Sequence, residues 1–323
     1  MSESAVSLIT ISEEEQGQRL DNFLLKWAKG VPKSHIYRII RSGEVRVNKK
    51  RALVTTRIAQ GDQLRIPPIR VAQPEVVENS AQQQFSADKI AENMPILYED
   101  AQLLIVNKPS GLAVHGGSGV SLGLIEALRI ARPELAFLEL VHRLDRDTSG
   151  ILMLAKKRSA LVKMHEAIRG GQFDKRYILV AHGGFSQGMG HVNLQYPLHK
   201  YLLPNGERRV KVAPHGQPSF TVLKFLGPSI FAGAFVAEAI LKTGRTHQIR
   251  VHLEHIGHPI LGDDKYGVHE LDKKVGVKRL MLHAFRLVFK HPLTEEKIQI
   301  QAPLPIGFSV AQLKTVDGNF GHG

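Results

Sequence analysis

Thirteen cations stand between Arg19 and Arg70, opposed only by Asp21, Glu44 and Asp62, so this stretch carries +10 of the chain's formal net charge of +13. A segment so short and so basic repels itself when packed alone, and it points to a small module that docks on a polyanion. At 323 residues the chain is long enough for a second, larger domain, since domains usually run to about 100 to 200 residues.

Within the basic stretch, Leu20, Phe23, Leu24 and Trp27 recur at the spacing of an amphipathic helix. Ser34, after Pro32, is expected to cap a second helix that buries Ile36, Ile39 and Ile40, with Gly43 as its left-handed terminus. Val45 and Val47, then Leu64 and Ile66, alternate as short strands, with turns at Asn48-Lys49 and Gly61-Asp62. The expectation is a helix-helix-hairpin unit over residues 1–70. Lys33, Arg38, Arg41, Lys49 and Lys50 would neutralise phosphates there; the alternative is a merely solvated basic face.

Pro67-Pro68 closes this unit, and residues 71–91, glutamine-rich and without apolar periodicity, read as a linker. Residues 92–323 form the second domain. Strands are expected at Ile96 to Tyr98, Leu103 to Val106, Ile151 to Leu154, Tyr177 to Ala181, Phe235 to Leu241 and His247 to Leu253. Helices are expected from Ser121 through Ile130 and from Ser159 to Arg169. Because these do not alternate regularly, the fold class is α+β with a mixed, mainly antiparallel sheet.

Several function classes are excluded. No apolar run approaches the roughly 18 to 20 residues of a membrane span. With no cysteine there is no disulfide, no thiolate nucleophile and no cysteine-based metal centre. The start of the chain has no basic leader and runs into Glu13, Glu14 and Glu15. A cytoplasmic protein is expected.

The densest polar cluster, His142-Arg143-Leu144-Asp145-Arg146-Asp147-Thr148-Ser149-Gly150, lies between two apolar runs. An ordinary turn could account for it. The alternation of acid and cation says more: a carboxylate between two arginines stays ionised, ready for nucleophilic or general-base work. Asp145 and Asp147 could instead be a glycosidase pair, roughly 7 Å apart if they share one strand face. A second cluster runs from Thr243 to His252, whose bland reading is a basic edge strand. His252, His255 and His258 raise zinc, but no carboxylate stands at a known hydrolase spacing, and structural histidines are the expectation.

At these residues the chain resembles the RluA-type pseudouridine synthases. The run His142 to Gly150 is similar to their catalytic signature, and other stretches match in order: Asn107 to Gly111 with His115 to Gly117, Lys175 to Tyr177, Thr243 to His252, Gly257 to Asp263, and Leu282 to Ala284. The N-terminal unit, from Arg19-Leu20-Asp21 through Ser34 to Asn48, resembles the S4 RNA-binding module. One departure is Gln217, where the family tends to place a lysine, which counts against a phosphate contact there. Residues 183–205 match weakly and receive no role.

The resemblance implies a pseudouridine synthase fold and the isomerisation of a uridine in RNA, with no cofactor and no metal. The implied substrate is 23S ribosomal RNA or its large-subunit precursor, transfer RNA being the alternative. It implies Asp145 as the catalytic carboxylate, Arg245 as the arginine paired with it, and Tyr177 as the ring that stacks on the target base. Arg143, with His142 beside it, would fill the space of a flipped base or serve as a charge partner for nearby acids. Arg19, Ser34 and Asn48 join the RNA-binding set. A catalytically idle RNA-binding assembly factor is the rival from another class.

Overall fold

The computed structural model describes residues 6–12, 14–69, 81–116, 122–184 and 190–309. Packing separates two compact units, Met1–Phe85 with Lys157–Ser159, and Ser86–Lys156 with Ala160–Gly323.

The first unit contains β1 (Ser7–Thr10), α1 (Leu20–Trp27), α2 (Lys33–Arg41), β2 (Arg46–Val47), β3 (Lys50–Arg51) and β4 (Gln63–Ile66). Its antiparallel sheet has the order β1-β4-β2-β3. The predicted stripes close on one core, in which Leu20, Phe23, Leu24, Ile36, Ile39 and Ile40 meet Val45, Leu64 and Ile66. Ser34 is not the cap of α2. Pro32 holds that position without a side-chain cap, its ring fixing φ for the turn into the helix. Asn48 and Lys49 both have positive φ, the backbone a two-residue hairpin turn demands.

The expected linker is structured over its second half. Helix α3 covers Ala81–Glu92, built from alanine and glutamine, which favour helix. Only Ala87 of it is buried, so the apolar period that announces a helix is missing. Residues 70–80 lie outside the described set, as does Ser121, the expected helix cap.

The second unit continues with β5 (Ile96–Glu99), β6 (Leu103–Lys108), α4 (Leu124–Ala131), β7 (Glu139–Leu140), β8 (Ser149–Ala155), α5 (Arg158–Arg169) and β9 (Asp174–His182). It goes on with β10 (His191–Leu194), β11 (Leu198–Leu202), β12 (Arg208–Val212), β13 (Thr221–Pro228) and β14 (Ala234–Leu241). Helices α6 (Gln248–His255) and α7 (His269–Val275) precede β15 (Leu282–Lys290) and β16 (Lys297–Gln301).

Ten strands form one sheet along the path β10-β13-β14-β9-β15-β8-β6-β5, with β16 on β15 and β7 on β8. Every pairing is antiparallel except β15 with β8, so the mixed, mainly antiparallel expectation holds. At that parallel junction a Cβ on Gly150 would stand 2.3 Å from the Ala284 carbonyl oxygen, and φ is +108°; only glycine permits the approach. The junction puts the residues before β8 beside β9 and β15.

One expected strand is a helix. From His247 to Leu253 the alternation of apolar and polar residues suggests a strand, yet α6 starts at Gln248 behind His247, whose left-handed backbone (φ 53°, ψ 20°) turns the chain into the helix. Six successive residues, Gln248 to Leu253, are buried, so neither period marks an exposed face and tertiary packing decides.

Candidate active site

The loop before β8 is pinned from below by the Asn107 to Gly111 turn. Lys108, fully buried at the end of β6, donates from Nζ to the carbonyls of Pro109, Leu112 and Arg146 at 2.8, 2.8 and 2.7 Å. Burial pulls its ammonium down to about 7, against the attraction of Asp147 and Asp145. Ser110 Oγ donates to the Asp147 carbonyl at 2.6 Å, and the Gly111 N–H to the Arg146 carbonyl at 3.0 Å. The loop backbone is therefore fixed at the Arg146 and Asp147 carbonyls, directly after Asp145.

Asp145 opens into a cavity of about 620 Å³ whose walls include Arg143, Tyr177, Lys175, Arg245 and Arg250. Its Oδ2 lies 3.3 Å from Arg250 Nη1, and its Oδ1 3.8 Å from His247 Nε2. Arg250 is 2% exposed. Burial works against its charge, but the fork it makes with Asp263, at 2.7 and 2.6 Å, and the nearby Asp145 and Asp264 more than offset this and raise its pKa. Asp264 accepts from Nη2 at 2.9 Å. One buried guanidinium thus orients Asp145 while its own orientation is set by a second buried carboxylate.

Arg245 does not pair with Asp145. It lines the same cavity but is exposed, and its Nε donates to the Pro218 carbonyl at 3.1 Å. The partner is Arg250, five residues further on, within α6. No local signal marks it: Arg250 alternates with Ile249, Val251 and Leu253, as an exposed residue of a half-buried strand would, and its burial beside Asp263 is a tertiary fact.

Tyr177 lies on β9, 9% exposed. Burial first, and the Asp145 charge second, push its phenol up, so the ring enters the cavity as a flat, protonated surface. His142 lines the same cavity and accepts the Met153 N–H at Nε2 (3.2 Å); burial and the Lys175 charge bring it down to about 4, which keeps the ring neutral. Arg143 is exposed at the cavity wall. Lys175, lowered by burial, also lines the cavity, a position its sequence neighbours do not announce.

The glycosidase pair fails on geometry. Asp147 lies on an irregular loop rather than a strand, is absent from the cavity wall, and pairs with its neighbour Arg146 at 3.2 Å. His252 is engaged by Ser219 and Thr221 at 2.8 and 3.0 Å, as expected of a structural histidine.

In the first unit, Lys33, Ser34, Arg38, Arg41, Lys49 and Lys50 are exposed. Lys33 and Arg41 flank the ring of Tyr37 at 5.4 and 5.7 Å, one helical stripe of cation, aromatic and cation. Two expected RNA contacts are otherwise employed. Arg19 forks onto buried Asp21 at 3.1 and 2.8 Å, where the Tyr37 hydroxyl also donates. Asn48 bridges Asp62 and the Gln63 N–H across the hairpin. Arg38 meets Glu44 at 3.3 Å, both exposed.

Residues 102–255 match the family model "RNA pseudouridylate synthase", and residues 18–64 the S4 domain. The chain is 53% identical over 304 residues to ribosomal large subunit pseudouridine synthase C of Yersinia pestis, covering 93% of this chain and 92% of that protein. To the protein of the same name from Escherichia coli K12 it is 50% identical over 309 residues, 94% of each. Among solved structures it is similar to human RNA pseudouridylate synthase domain containing 1, with TM-score 0.56 and 28% identity over 66% of this chain and 84% of that one.

Proposed function

Because the chain belongs to the RluA-type RNA pseudouridine synthase family, with an N-terminal S4 domain, we propose that it converts specific uridines of 23S ribosomal RNA, or of its large-subunit precursor, to pseudouridine through Asp145. The observation that carries the assignment is the Asp145 carboxylate, held by buried Arg250 at 3.3 Å inside a cavity that also presents Tyr177.

The reaction is an isomerisation. The bond from ribose C1′ to N1 of uracil breaks, the detached base turns, C5 bonds to C1′, and N1 takes up a proton as the one displaced from C5 leaves. Positive charge develops at the sugar as the first bond breaks, and an oriented carboxylate serves there by attacking C1′ or by taking the 2′ proton. Either use needs the carboxylate fixed by something other than substrate, which is the role of Arg250. Tyr177, kept protonated, offers its ring for stacking on the uracil and its hydroxyl for relaying the C5 proton. A uridine stacked in structured RNA must first be flipped, at a cost of a few kcal/mol; Arg143, exposed at the cavity wall, would occupy the vacancy.

Residues 1–70 act as the docking module, with Lys33, Arg38, Arg41, Lys49 and Lys50 against phosphates and Ser34 beside them. Residues 92–323 perform the chemistry. A basic, cysteine-free chain acting on ribosomal RNA works in the cytoplasm, and no described helix is long and apolar enough to cross a membrane.

The test is tritium release from 5-tritiated uridine in 23S RNA and in bulk transfer RNA, comparing wild type with Asp145→Asn. Release by wild type alone from 23S RNA supports the proposal. Release only from transfer RNA reassigns the substrate. Tight binding without release moves the protein to the assembly-factor class.

A further inference from the structure

The β11–β12 hairpin, whose first strand lies in residues 183–205, the segment the family resemblance left without a role, is joined to Asp145 by a chain of three polar contacts. The Val210 N–H on β12 donates to the Tyr266 hydroxyl oxygen at 3.0 Å. Tyr266 Oη lies 2.8 Å from His247 Nδ1, and His247 Nε2 lies 3.8 Å from Asp145 Oδ1. Tyr266 is clasped in place: its N–H donates to Asp263 at 3.0 Å, and the guanidiniums of Arg209 and Arg250 stand 5.7 and 5.2 Å from its ring centre. Arg209 also donates to the Lys265 carbonyl, so hairpin, tyrosine and arginine form one assembly.

We propose that His247 is a positioning residue for Asp145, held by Tyr266 in the neutral tautomer that carries its proton on Nε2, so that the seating of the β11–β12 hairpin is transmitted to the reacting carboxylate. The inference rests on the reading of Asp145 as catalytic. Proton counting supports it. A tyrosine hydroxyl has one proton to give; with Val210 donating to its oxygen, that proton goes to Nδ1, and the ring's own proton then sits on Nε2, facing a carboxylate. The opposite tautomer would aim a lone pair at Asp145. Burial keeps the phenol protonated, its pKa raised to about 12, and lowers the pKa of His247, with Arg250 and Lys265 adding to the effect against Asp145 and Asp263. A gap of 3.8 Å is long for a hydrogen bond, and contacts of this sort tighten when substrate fills the site.

The left-handed backbone of His247 provides a discriminating substitution pair. Asparagine tolerates that conformation better than glutamine, whereas a glutamine amide nitrogen reaches the place of Nε2 and an asparagine amide does not. If His247 served only the turn into α6, His247→Asn would be the milder change. The proposal predicts the reverse, with His247→Gln retaining the higher kcat.

The experiment measures kcat and KM for tritium release from large-subunit RNA, with imidazole nitrogen shifts of the full-length, 15N-histidine-labelled enzyme. His247 is assigned by its absence in His247→Asn. The expected result is an Nε2-protonated His247 in wild type. Tyr266→Phe should lose that tautomer, and kcat should fall about tenfold, the worth of one hydrogen bond, with KM nearly unchanged. Wild type that releases no tritium overturns the isomerase reading and this inference with it. An active wild type with the proton on Nδ1, a Tyr266→Phe enzyme with an unaltered tautomer, or an Asn variant as fast as the Gln variant overturns the inference alone.

Discussion

Arg250 reaches the Asp145 carboxylate at 3.3 Å with one nitrogen while two others hold buried Asp263 at 2.6 and 2.7 Å. The arginine that orients Asp145 is thus also a structural ion. Arg250→Met should cost about 3–5 kcal/mol of folding stability, because Asp263 is left buried and unpaired. Arg245→Ala, which loses an exposed bond to the Pro218 carbonyl, should cost no more than about 1 kcal/mol. Urea unfolding of the two variants measures both, and equal losses would remove Arg250 from its assigned position.

Lys108→Met should loosen the loop that carries Asp145. Three carbonyls lose their shared donor, each at a cost of about 1–3 kcal/mol if it stays dry. Tritium release should fall together with the urea midpoint. Asp145→Asn, by contrast, should abolish release and leave the midpoint almost where it was.

Acidification should destabilise the protein before its carboxylates titrate. Burial brings both His142 and His283 down to about 4, whereas an unfolded histidine titrates near 6.5. Between those values the unfolded chain binds more protons, so stability falls as pH drops from about 6.5 toward 4. His283 Nδ1 lies 2.8 Å from Ser149 Oγ, and Ser149 Oγ accepts from Arg279 at 2.5 Å, so a cation already stands beside the ring and opposes its protonation. Urea midpoints at pH 7.5, 5.5 and 4.5 should fall in order, with a shallower slope in His283→Gln.

Removing Lys33, Arg41 and Lys49 together should weaken RNA binding and flatten its salt dependence. Each phosphate contact contributes roughly 0.7 to 0.9 to the slope of log affinity against log salt, so the triple alanine variant should lose about 2. Arg19→Ala should instead lower stability, since Arg19 neutralises buried Asp21, and leave that slope unchanged. Filter binding from low to high salt separates the two behaviours.

Local pattern determined much of this molecule. The basic module, its two helices and its hairpin follow from apolar spacing and turn residues between Leu20 and Ile66. The loop of Asp145 is legible as a polar run, His142 to Gly150, between buried segments. Helix α3 escaped because only Ala87 of it is buried, which leaves no period to read.

Tertiary structure alone chose the partner of Asp145. From Thr243 to His252 the sequence offers two arginines, and as a strand the segment gives no reason to prefer Arg250. Helix α6 begins there because His247 takes a left-handed turn and six successive residues find burial, and Asp263, thirteen residues along, makes burial of Arg250 tolerable. A buried charge is settled by whichever opposite charge the fold brings to it, and that contact lies between residues too far apart in sequence for local periodicity to record.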